Sequence, residues 1–494
     1  MTPDGILWAL PAVPAAMAAV CLRLGAARRV LAAVALGGAG WAALAIAAAF
    51  AVVRGGPVSA AGAWLYLDAL SAWHLMILGI VFGASSLFSR GYFETELAAG
   101  RLSDRAARRF GTLWFGSAAA MTGVLLSNNL GLMWVGIEAT TLLTAFLITL
   151  HVTPLSLEAM WKYLVVCSVG VAFAFMGTLL VGASARNLGL DPSEMLLWTR
   201  LNASAAGLAP ATMKLAFIFL MVGYGTKAGL APMHNWLPDA HSQAPAPVSA
   251  LFSGFMLNSA LYCIMRHLPL VEQATGNAGW GRELLALFGI VSILVAAAFI
   301  IFQRDGKRLL AYHSVEHMGI IALGLGLGGI GTFAALWHTL NHAVCKTLAF
   351  FSIGRLGQMY GTHDLHRMAG AMRRAPLWGI GFFGGVLALI GVAPFAIFMS
   401  EFQVLRAAVA AHAFIRATLF LTGTAIVFIA ALRHAIVPAW GDETAPPTGH
   451  APSGLADKII IIGGLAFLLL LGLWLPGPLR AWMETAAGII GGRP

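Results

Sequence analysis

The chain has 494 residues, of which 59% are hydrophobic and only 10% are charged, and its mean hydropathy is +0.83. Soluble domains carry roughly 25% charged residues. The composition therefore excludes a soluble globular protein and indicates one that spans a membrane many times. The formal net charge is +10. The distribution of the basic residues between the two sides of the membrane accounts for this charge without a polyanionic partner.

Apolar segments that reach or approach the length of a membrane-spanning helix, about 20 residues, fill almost the whole chain. We count about fourteen and predict an all-α polytopic membrane protein. The predicted spans are residues 5–22, 30–53, 65–88, 112–128, 130–150, 161–183, 212–231, 246–268, 283–303, 309–328, 332–354, 376–397, 413–437 and 458–475. The longest polar stretches, near 89–111, 184–211 and 438–457, leave no room for a large soluble domain.

The charges that flank the spans predict the orientation. Asp4 precedes the first span and Arg23 follows it, which is typical of a retained span and not of a cleaved signal peptide. With the N-terminus outside, eighteen basic residues fall inside and ten outside, in agreement with the positive-inside rule. We therefore expect the protein to lie in the lipid bilayer of the cell inner membrane, with both termini on the outer, periplasmic side. We expect no nucleic-acid partner.

The cysteines give no sign of a bound metal. Cys21, Cys167, Cys263 and Cys345 are far apart in the sequence and form no C-x-x-C pair. Metal–sulfur ligation and a disulfide framework are therefore not expected. We predict no cofactor and no redox site in this chain.

Glycine and proline interrupt two of the spans. The segment GYGTKAGLAPMHNWLPDAHSQAPAPVSA breaks the seventh span, and GVAPFAIFMSEF breaks the twelfth, five spans later. Interrupted helices at corresponding places in two halves are typical of transporters built from inverted repeats. Backbone groups freed at such breaks are satisfied only inside protein or beside water, so the breaks indicate where water enters the membrane.

One carboxylate lies in the middle of an apolar span. Glu138 stands alone in LGLMWVGIEATTLLTAFLITL, and Lys227 stands just ahead of the first break. Burying a charge in a bilayer costs roughly 2.5–3.5 kcal/mol, so such residues mark ion pathways and have partners. We predict that the two pair at about 4 Å, with an attraction of roughly 4 kcal/mol, and that making or breaking this ion pair loads or discharges the lysine. A fixed salt bridge for Glu138 and a structural counter-ion or snorkelling role for Lys227 are the alternatives.

Three ionisable residues share one face of the eleventh span. His338, His342 and Lys346 follow one another at i, i+4 and i+8, an arrangement that suits proton relay. Two histidines at this spacing also suit zinc, although the sequence offers no evident third ligand. Hydrogen-bonded structural histidines are the other alternative.

Further candidates for a proton relay lie in the tenth span and at the breaks. His313, Glu316 and His317 satisfy the H-x-x-E-H pattern of a metalloprotease. Because no acidic third ligand is obvious downstream, we favour proton relay and predict no metal site. His234 lies within the first break and Glu401 follows the second. We expect Glu401 near the outer end of the path, with a simple interfacial glutamate as the alternative.

Four segments carry a family resemblance: LMWVGIEATTL, YGTKAGLAPMHNWLPDAHSQAPAPVSALFSG, KRLLAYHSVEHMGI and HTLNHAVCKTLAFF. Together they resemble the antiporter-like membrane subunits of respiratory complex I, Mrp-type cation/proton antiporters and membrane-bound hydrogenases. GIEATTL and HSVEHMG look most like the hydrogenase-4 component F branch. The resemblance covers nearly the whole chain. It implies fourteen helices with two inverted five-helix repeats, each containing a broken helix, and a hydrated line of ionisable residues at the membrane midplane.

The same resemblance implies roles for particular residues. Glu138 and Lys227 match the family's glutamate of the fifth helix and lysine of the broken seventh. Lys346, with its two histidines, matches the second-half relay, and Glu401 matches the exit residue. Asn258 stands where many relatives carry a central lysine, and an amide takes up no proton at neutral pH. The expected divisions are a three-helix segment 1–111, repeats 112–268 and 283–437, and a linker with a C-terminal helix 438–494.

The resemblance thus implies a proton-translocating subunit of a multi-subunit, ion-pumping redox complex, either hydrogenase-linked or complex I-like. Its partners would be related membrane subunits and a peripheral arm with metal–sulfur centres, and it would perform no redox chemistry itself. A cation/proton antiporter subunit or an inorganic-carbon-uptake subunit is the alternative within transport. An intramembrane metalloprotease is the alternative outside it.

Overall fold

The computed structural model describes residues 3–442, 447, 449 and 452–492. The predicted linker at 438–457 and the two chain ends therefore lie partly outside the described residues. The helices up to the first break are α1 (Pro3–Arg23), α2 (Ala27–Gly55), α3 (Ala69–Ala98), α4 (Asp104–Leu126), α5 (Leu130–Ile148), α6 (Pro154–Ala185), α7 (Trp198–Ala203) and α8 (Pro210–Ala228).

The helices after the first break complete the bundle. They are α9 (Leu237–Gln243), α10 (Ala246–Leu251), α11 (Leu257–Ala274), α12 (Trp280–Ile300), α13 (Gly306–Leu327), α14 (Ile330–Tyr360), α15 (Ala371–Arg374), α16 (Pro376–Leu389), α17 (Ala396–Ala410), α18 (Phe414–Trp440), α19 (Leu455–Leu473) and α20 (Gly477–Ile490). A π-helix, Phe252–Met256, joins α10 to α11. The predicted all-α polytopic fold is confirmed.

Nine of the described helices are long and apolar enough to cross a membrane by themselves: α1, α2, α3, α5, α6, α10 continued through α11, α12, α18 and α19. Others that pack with them carry too many charged or polar residues, or are interrupted, as α8 and α16 are. The count of fourteen spans therefore stays a prediction. The helix ends nevertheless fall within a few residues of most predicted spans.

The third predicted span differs from the structure at both ends. Residues Val58–Ala60 (β1) and Leu65–Leu67 (β2) form a small antiparallel hairpin, so the helix begins only at Ala69. Asp68 caps it, because its side chain accepts hydrogen bonds from the backbone N–H groups of Leu70 and Ser71. The helix then runs on to Ala98, through residues that the sequence analysis assigned to a polar stretch.

The two helix breaks are built alike. Each opens with Gly-x-Ala-Pro, at 229–232 after α8 and at 391–394 after α16. Gly229 and Gly391 have φ angles of +77° and +69°, the left-handed conformation that ends helices. The prolines lack an N–H, and each X–Pro bond is cis. The Trp236 indole N–H donates to the freed Thr226 carbonyl at 2.9 Å. The predicted breaks in the seventh and twelfth spans are confirmed.

Helices alternate in direction, and cross-helix bonds identify which ends lie together. The Ala27 N–H at the start of α2 donates to Asp104 at the start of α4, at 2.6 Å. Arg109 of α4 donates to the Thr149 carbonyl just after α5, at 2.5 Å. We call this side of the bundle the arginine-rich end, because the α1–α2 turn and the start of α4 together carry six arginines, at 23, 28, 29, 105, 108 and 109.

A buried ion pair ties α3 to α11 near the opposite end. The Arg266 guanidinium donates to both carboxylate oxygens of Asp68, at 2.7 and 2.6 Å. Arg266 also donates to Tyr262 Oη at 2.9 Å and to Ser71 Oγ at 2.6 Å. Both charged side chains are buried. Bidentate geometry and added hydrogen bonds are what a buried pair needs to offset its desolvation.

Removing one partner of this pair should destabilise the protein strongly. Arg266→Ala leaves the Asp68 carboxylate buried without its counter-charge, which costs about 3–5 kcal/mol. We expect a clear drop in the thermal unfolding temperature of the detergent-purified protein. The double variant Asp68→Asn/Arg266→Met, which removes both charges, should recover much of the loss. Equal damage from the single and double variants would contradict the importance of the pair.

Candidate functional site

The first-half centre is built around the Lys227 ammonium at the end of α8. Its Nζ is fully buried and donates to Thr141 Oγ1 of α5 at 3.0 Å and to Tyr163 Oη of α6. It also lies 4.6 Å from the centroid of the Tyr163 ring, a cation–π contact. Tyr163 Oη shares a further hydrogen bond with Thr144, at 2.6 Å. Two neighbouring helices, α5 and α6, thus surround the lysine with hydroxyl groups.

Glu138 lies next to this centre and does not touch the lysine. Its Oε1 accepts a hydrogen bond from Ser168 Oγ at 3.1 Å, and its Oε2 has no partner among the described residues. Since no salt bridge within the described chain joins it to Lys227, the predicted contact at about 4 Å is absent. Thr141, three residues along α5 from Glu138 and hence on the same helix face, is instead the residue that accepts the hydrogen bond from Lys227.

The π-helix Phe252–Met256 lies between the two halves. On one side, Tyr163 Oη donates to Met256 Sδ at 3.8 Å. On the other, Ser253 Oγ is hydrogen-bonded to Ser314 Oγ of α13 at 2.7 Å. Ser314 Oγ in turn donates to the Leu310 carbonyl at 3.2 Å, which also accepts a hydrogen bond from Lys346 Nζ. Single π-turns inside α-helices are frequent at functional sites, and this one contacts both lysine centres.

Asn258 follows the π-helix by two residues and is fully buried. Its Nδ2 donates to the Gly254 carbonyl at 3.0 Å, and its Oδ1 is without a partner among the described residues. A buried amide oxygen of this kind is suited to hold a water molecule.

One buried histidine beside the second lysine, His241 of α9, is not among the residues predicted from the sequence. Neither ring nitrogen has a hydrogen-bond partner in the part of the chain that the structure describes. The ring stacks on Phe350 of α14, with centroids 5.1 Å apart, and Lys346 Nζ lies 5.9 Å from the centroid of that same phenyl ring. His241 lies in the segment LPDAHSQAP, whose prolines predict a helix break. A histidine inside an apolar span is the pattern that could have identified it.

The second-half centre is a cluster of histidines on α13 and α14. His317 Nδ1 and His338 Nε2 share a hydrogen bond at 2.9 Å, and the ring of His342 lies 5.0 Å from that of His317. His313 Nδ1 and a Glu316 carboxylate oxygen are 3.0 Å apart. All five side chains are buried. The predicted face of α14 that carries His338 and His342 thus packs against a face of α13 that carries His317.

Glu401 joins this cluster from α17. One ligand atom from each of His317, His338 and Glu401 lies within 4.8 Å of the others. Nine further residues of α17 follow Glu401, about 13 Å of helix, and its place near the outer end of the path stays a prediction. His338 Nδ1 is also hydrogen-bonded to Ser400 Oγ at 2.9 Å.

His234 occupies the first break and stands apart from these centres. Its ring packs edge-on against Phe299 and Tyr312, with centroids 6.4 and 6.2 Å away. Its Nδ1 has no hydrogen-bond partner among residues 3–442. The structure therefore places nine of the ten predicted relay residues at or beside the two centres, and His234 against aromatic rings.

Glu401 is a possible third metal ligand beside His317 and His338, which the sequence did not reveal. His313, Glu316 and His317 form one group of closely spaced ligand atoms, and His317, His338 and Glu401 form another. Zinc holds imidazole nitrogens at about 2.0–2.1 Å, which places two such nitrogens roughly 3.4 Å apart in a tetrahedron. The 2.9 Å separation of the His317 and His338 nitrogens is that of a shared proton. The spacing favours proton relay over a metal centre.

Comparison with known proteins places the chain in a family. Residues 127–427 match the family described as NADH:quinone oxidoreductase/Mrp antiporter, transmembrane. The chain belongs to this family. The hydrogenase-4 component F homolog of Methylacidiphilum infernorum is 36% identical over 430 residues, 87% of this chain and 89% of that protein. The expected resemblance is therefore confirmed, and the chain is a multi-pass membrane protein.

Solved structures of low sequence identity share the fold. A chain of the membrane-bound sulfane sulfur reductase, an archaeal respiratory membrane complex, matches with a TM-score of 0.84 at 23% identity, covering 99% of this chain and 97% of that one. A chain of the Mrp complex from Dietzia sp. DQ12-45-1b also gives 0.84, at 21% identity, covering 99% and 98%. The family fold extends over nearly the full length of the chain.

The second break in this family member leaves room for the Glu401 carboxylate. A Cβ on Gly391 would lie 2.4 Å from Glu401 Oε2, and the φ of Gly391 is left-handed. Gly391→Ala should therefore displace the carboxylate and strain the backbone by roughly 1–2 kcal/mol. We expect a lower thermal unfolding temperature for the detergent-purified protein. Gly463→Ala, with no atom near the added carbon, is the control and should behave as the unmodified protein.

Proposed function

We propose that this chain is a proton-translocating subunit of a multi-subunit, ion-pumping membrane complex of the hydrogenase-4 type. The observation that carries the proposal is the set of buried ionisable and hydroxyl side chains at the two lysine centres and in the histidine cluster beside Glu401, which hydrogen bonds join over short stretches. The most informative relative is named as a hydrogenase-4 component F homolog. A buried, branched network of this kind is costly in a membrane and marks an ion pathway.

In the first half, Lys227 is the proton carrier and Glu138 sets its charge state. Hydroxyl groups both donate and accept hydrogen bonds, so Thr141 and Tyr163 can solvate the lysine whether it is charged or neutral. A carboxylate within about 8 Å attracts an ammonium by about 2 kcal/mol at an effective dielectric of 20. Moving one charge across 100 mV involves about 2.3 kcal/mol. Moving Glu138 from about 8 Å to about 4 Å from Lys227 would double the attraction to roughly 4 kcal/mol, a change comparable to that energy, so forming and breaking the ion pair would load and discharge the lysine.

Between the halves, the proton passes along the π-helix. This route replaces the central lysine that many relatives carry at the position of Asn258. Ser253 and Ser314 provide a hydroxyl pair that leads toward Lys346. A carbonyl such as that of Leu310 only accepts hydrogen bonds, so water held near Asn258 must complete this step. His241, buried and without a hydrogen-bond partner among the described residues, is a second carrier on the same route.

In the second half, the proton leaves Lys346 for the histidine cluster and reaches Glu401. Imidazoles suit this step because each ring accepts a proton on one nitrogen and releases it from the other. The 2.9 Å contact between His317 and His338 is short enough for direct transfer. Residues 112–268 and 283–437 would then each form one half of the pathway, as inverted repeats.

The proposal also includes the orientation of the chain in the membrane and its partner subunits. The arginine-rich end faces the inside of the cell and both termini face outside, as the positive-inside rule predicts for the inner membrane. Related membrane subunits and a peripheral arm with metal–sulfur centres act as partners and supply the driving redox reaction. Sodium-dependent proton flux from the purified complex would favour a cation/proton antiporter instead.

The proposal is tested first at the Lys227 centre. Glu138→Gln and Lys227→Ala should each abolish proton pumping by the assembled complex, because neither substituted side chain can hold the required charge. Pumping is measured with a pH-sensitive dye in inverted membrane vesicles, and assembly by native gel. The matched controls are Glu158→Gln and Lys214→Ala, on α6 and α8 away from the centre. Undiminished pumping in both test variants would refute the proposed role.

The link between the halves has its own test. The double variant Ser253→Ala/Ser314→Ala removes the hydroxyl pair without changing charge. We expect roughly tenfold slower pumping, because one hydrogen-bonded step worth about 1 kcal/mol is lost and the path loses a site for water. Ser352→Ala, a buried serine bonded only to its own helix carbonyl at 2.8 Å, serves as the control. Equal rates for the two would exclude this route.

A further inference from the structure

A cleft opens at the arginine-rich end, and neither lysine is among its lining residues. It has a volume of about 640 Å³ and lies between α1, the start of α4 and the connection from α5 to α6. Leu22, Leu113, Leu150 and Val152 form an apolar wall. Leu22 and Val152 are 64% and 65% exposed, so this wall continues into the surface that faces lipid.

Three arginines of α4 line the other side of the cleft: Arg105, Arg108 and Arg109. Arg108 and Arg109 are half-buried and anchored to backbone carbonyls, Arg108 to that of Gly25 at 3.3 Å. Arg109 Nε is buried and has no hydrogen-bond partner within the described chain. Arg105 is exposed. A guanidinium N–H without an acceptor needs a ligand that supplies oxygen atoms.

The charges around the cleft are almost all positive. None of its lining residues in the described part of the chain is acidic. The neighbouring Asp104 is already bound to the Ala27 N–H at 2.6 Å. Arg23, Arg28 and Arg29 of the α1–α2 turn are exposed on the same side. The site therefore offers a concentrated positive charge next to an apolar wall at the membrane surface.

We infer that this cleft binds an anionic phospholipid, with its phosphate on Arg105, Arg108 and Arg109 and an acyl chain along the apolar wall. Guanidinium groups bind phosphate oxygens in a fork geometry, and basic pockets between membrane helices bind anionic headgroups. A free phosphate would use the arginines but leave the wall exposed. The combination of charge and apolar surface selects the lipid, and the inference stands independently of the proposed function.

The test uses the assembled complex, purified and exchanged into detergent with phosphatidylglycerol or phosphatidylcholine. Retained lipid is counted by native mass spectrometry. We expect selective retention of phosphatidylglycerol, and roughly 100-fold weaker retention by Arg105→Gln/Arg108→Gln/Arg109→Gln, because each cation near the surface contributes about fivefold. Arg304→Gln/Arg367→Gln/Arg433→Gln makes the same charge change with exposed arginines outside the cleft, and should retain lipid normally.

Each other outcome would overturn the inference. Equal retention by the test and control variants would show that net charge alone attracts the lipid. Full displacement by inorganic phosphate would identify a phosphate site, and no retained lipid in the complex would show that another subunit fills the cleft. If the glutamine variant fails to assemble, the triple lysine variant keeps the charge and should retain phosphatidylglycerol to within about tenfold, whereas complete loss would contradict the inference.

Discussion

The constraint on which this structure depends is the burial of two lysine ammonium groups in an apolar bundle. Lys227 and Lys346 are fully buried, and a charge in that environment must be surrounded by groups that replace water. At Lys227 these are the hydroxyls of Thr141 and Tyr163. At Lys346 a backbone carbonyl of α13 serves the same purpose. Each solution requires several helices to converge on one atom, which fixes their packing.

The backbone is irregular beside the same charged groups. The chain departs from regular helix at the two Gly-x-Ala-Pro breaks, near Lys227 and Glu401, and at the π-helix between the lysine centres. Backbone groups freed at such places inside a membrane are satisfied within the protein or by water. The two breaks use the same four-residue pattern in different halves. The π-helix aligns Ser253 with Ser314 on one side and Met256 with Tyr163 on the other.

Predictions from the sequence succeeded where the signal was local. The apolar segments, both broken helices and the shared face of His338, His342 and Lys346 follow from composition, Gly-Pro punctuation and helical periodicity. Predictions about contacts between distant segments were less reliable. The direct pair of Glu138 with Lys227 is absent, and the third ligand atom beside His317 and His338 comes from Glu401, 63 residues along the chain from His338. No periodicity in one helix encodes such a meeting.

By itself the sequence determined that the chain spans a membrane, where its helices break, and which ionisable residues it buries. These depend on the transfer free energy of each segment and on the backbone limits of glycine and proline. Only the tertiary structure decided which buried groups touch: the hydroxyls of Thr141 and Tyr163 on Lys227, the ring of His317 on that of His338, and His241 on the phenyl ring that Lys346 also faces. Contacts of this kind depend on how several helices pack together, and a difference of one helical turn in that packing would change every one of them.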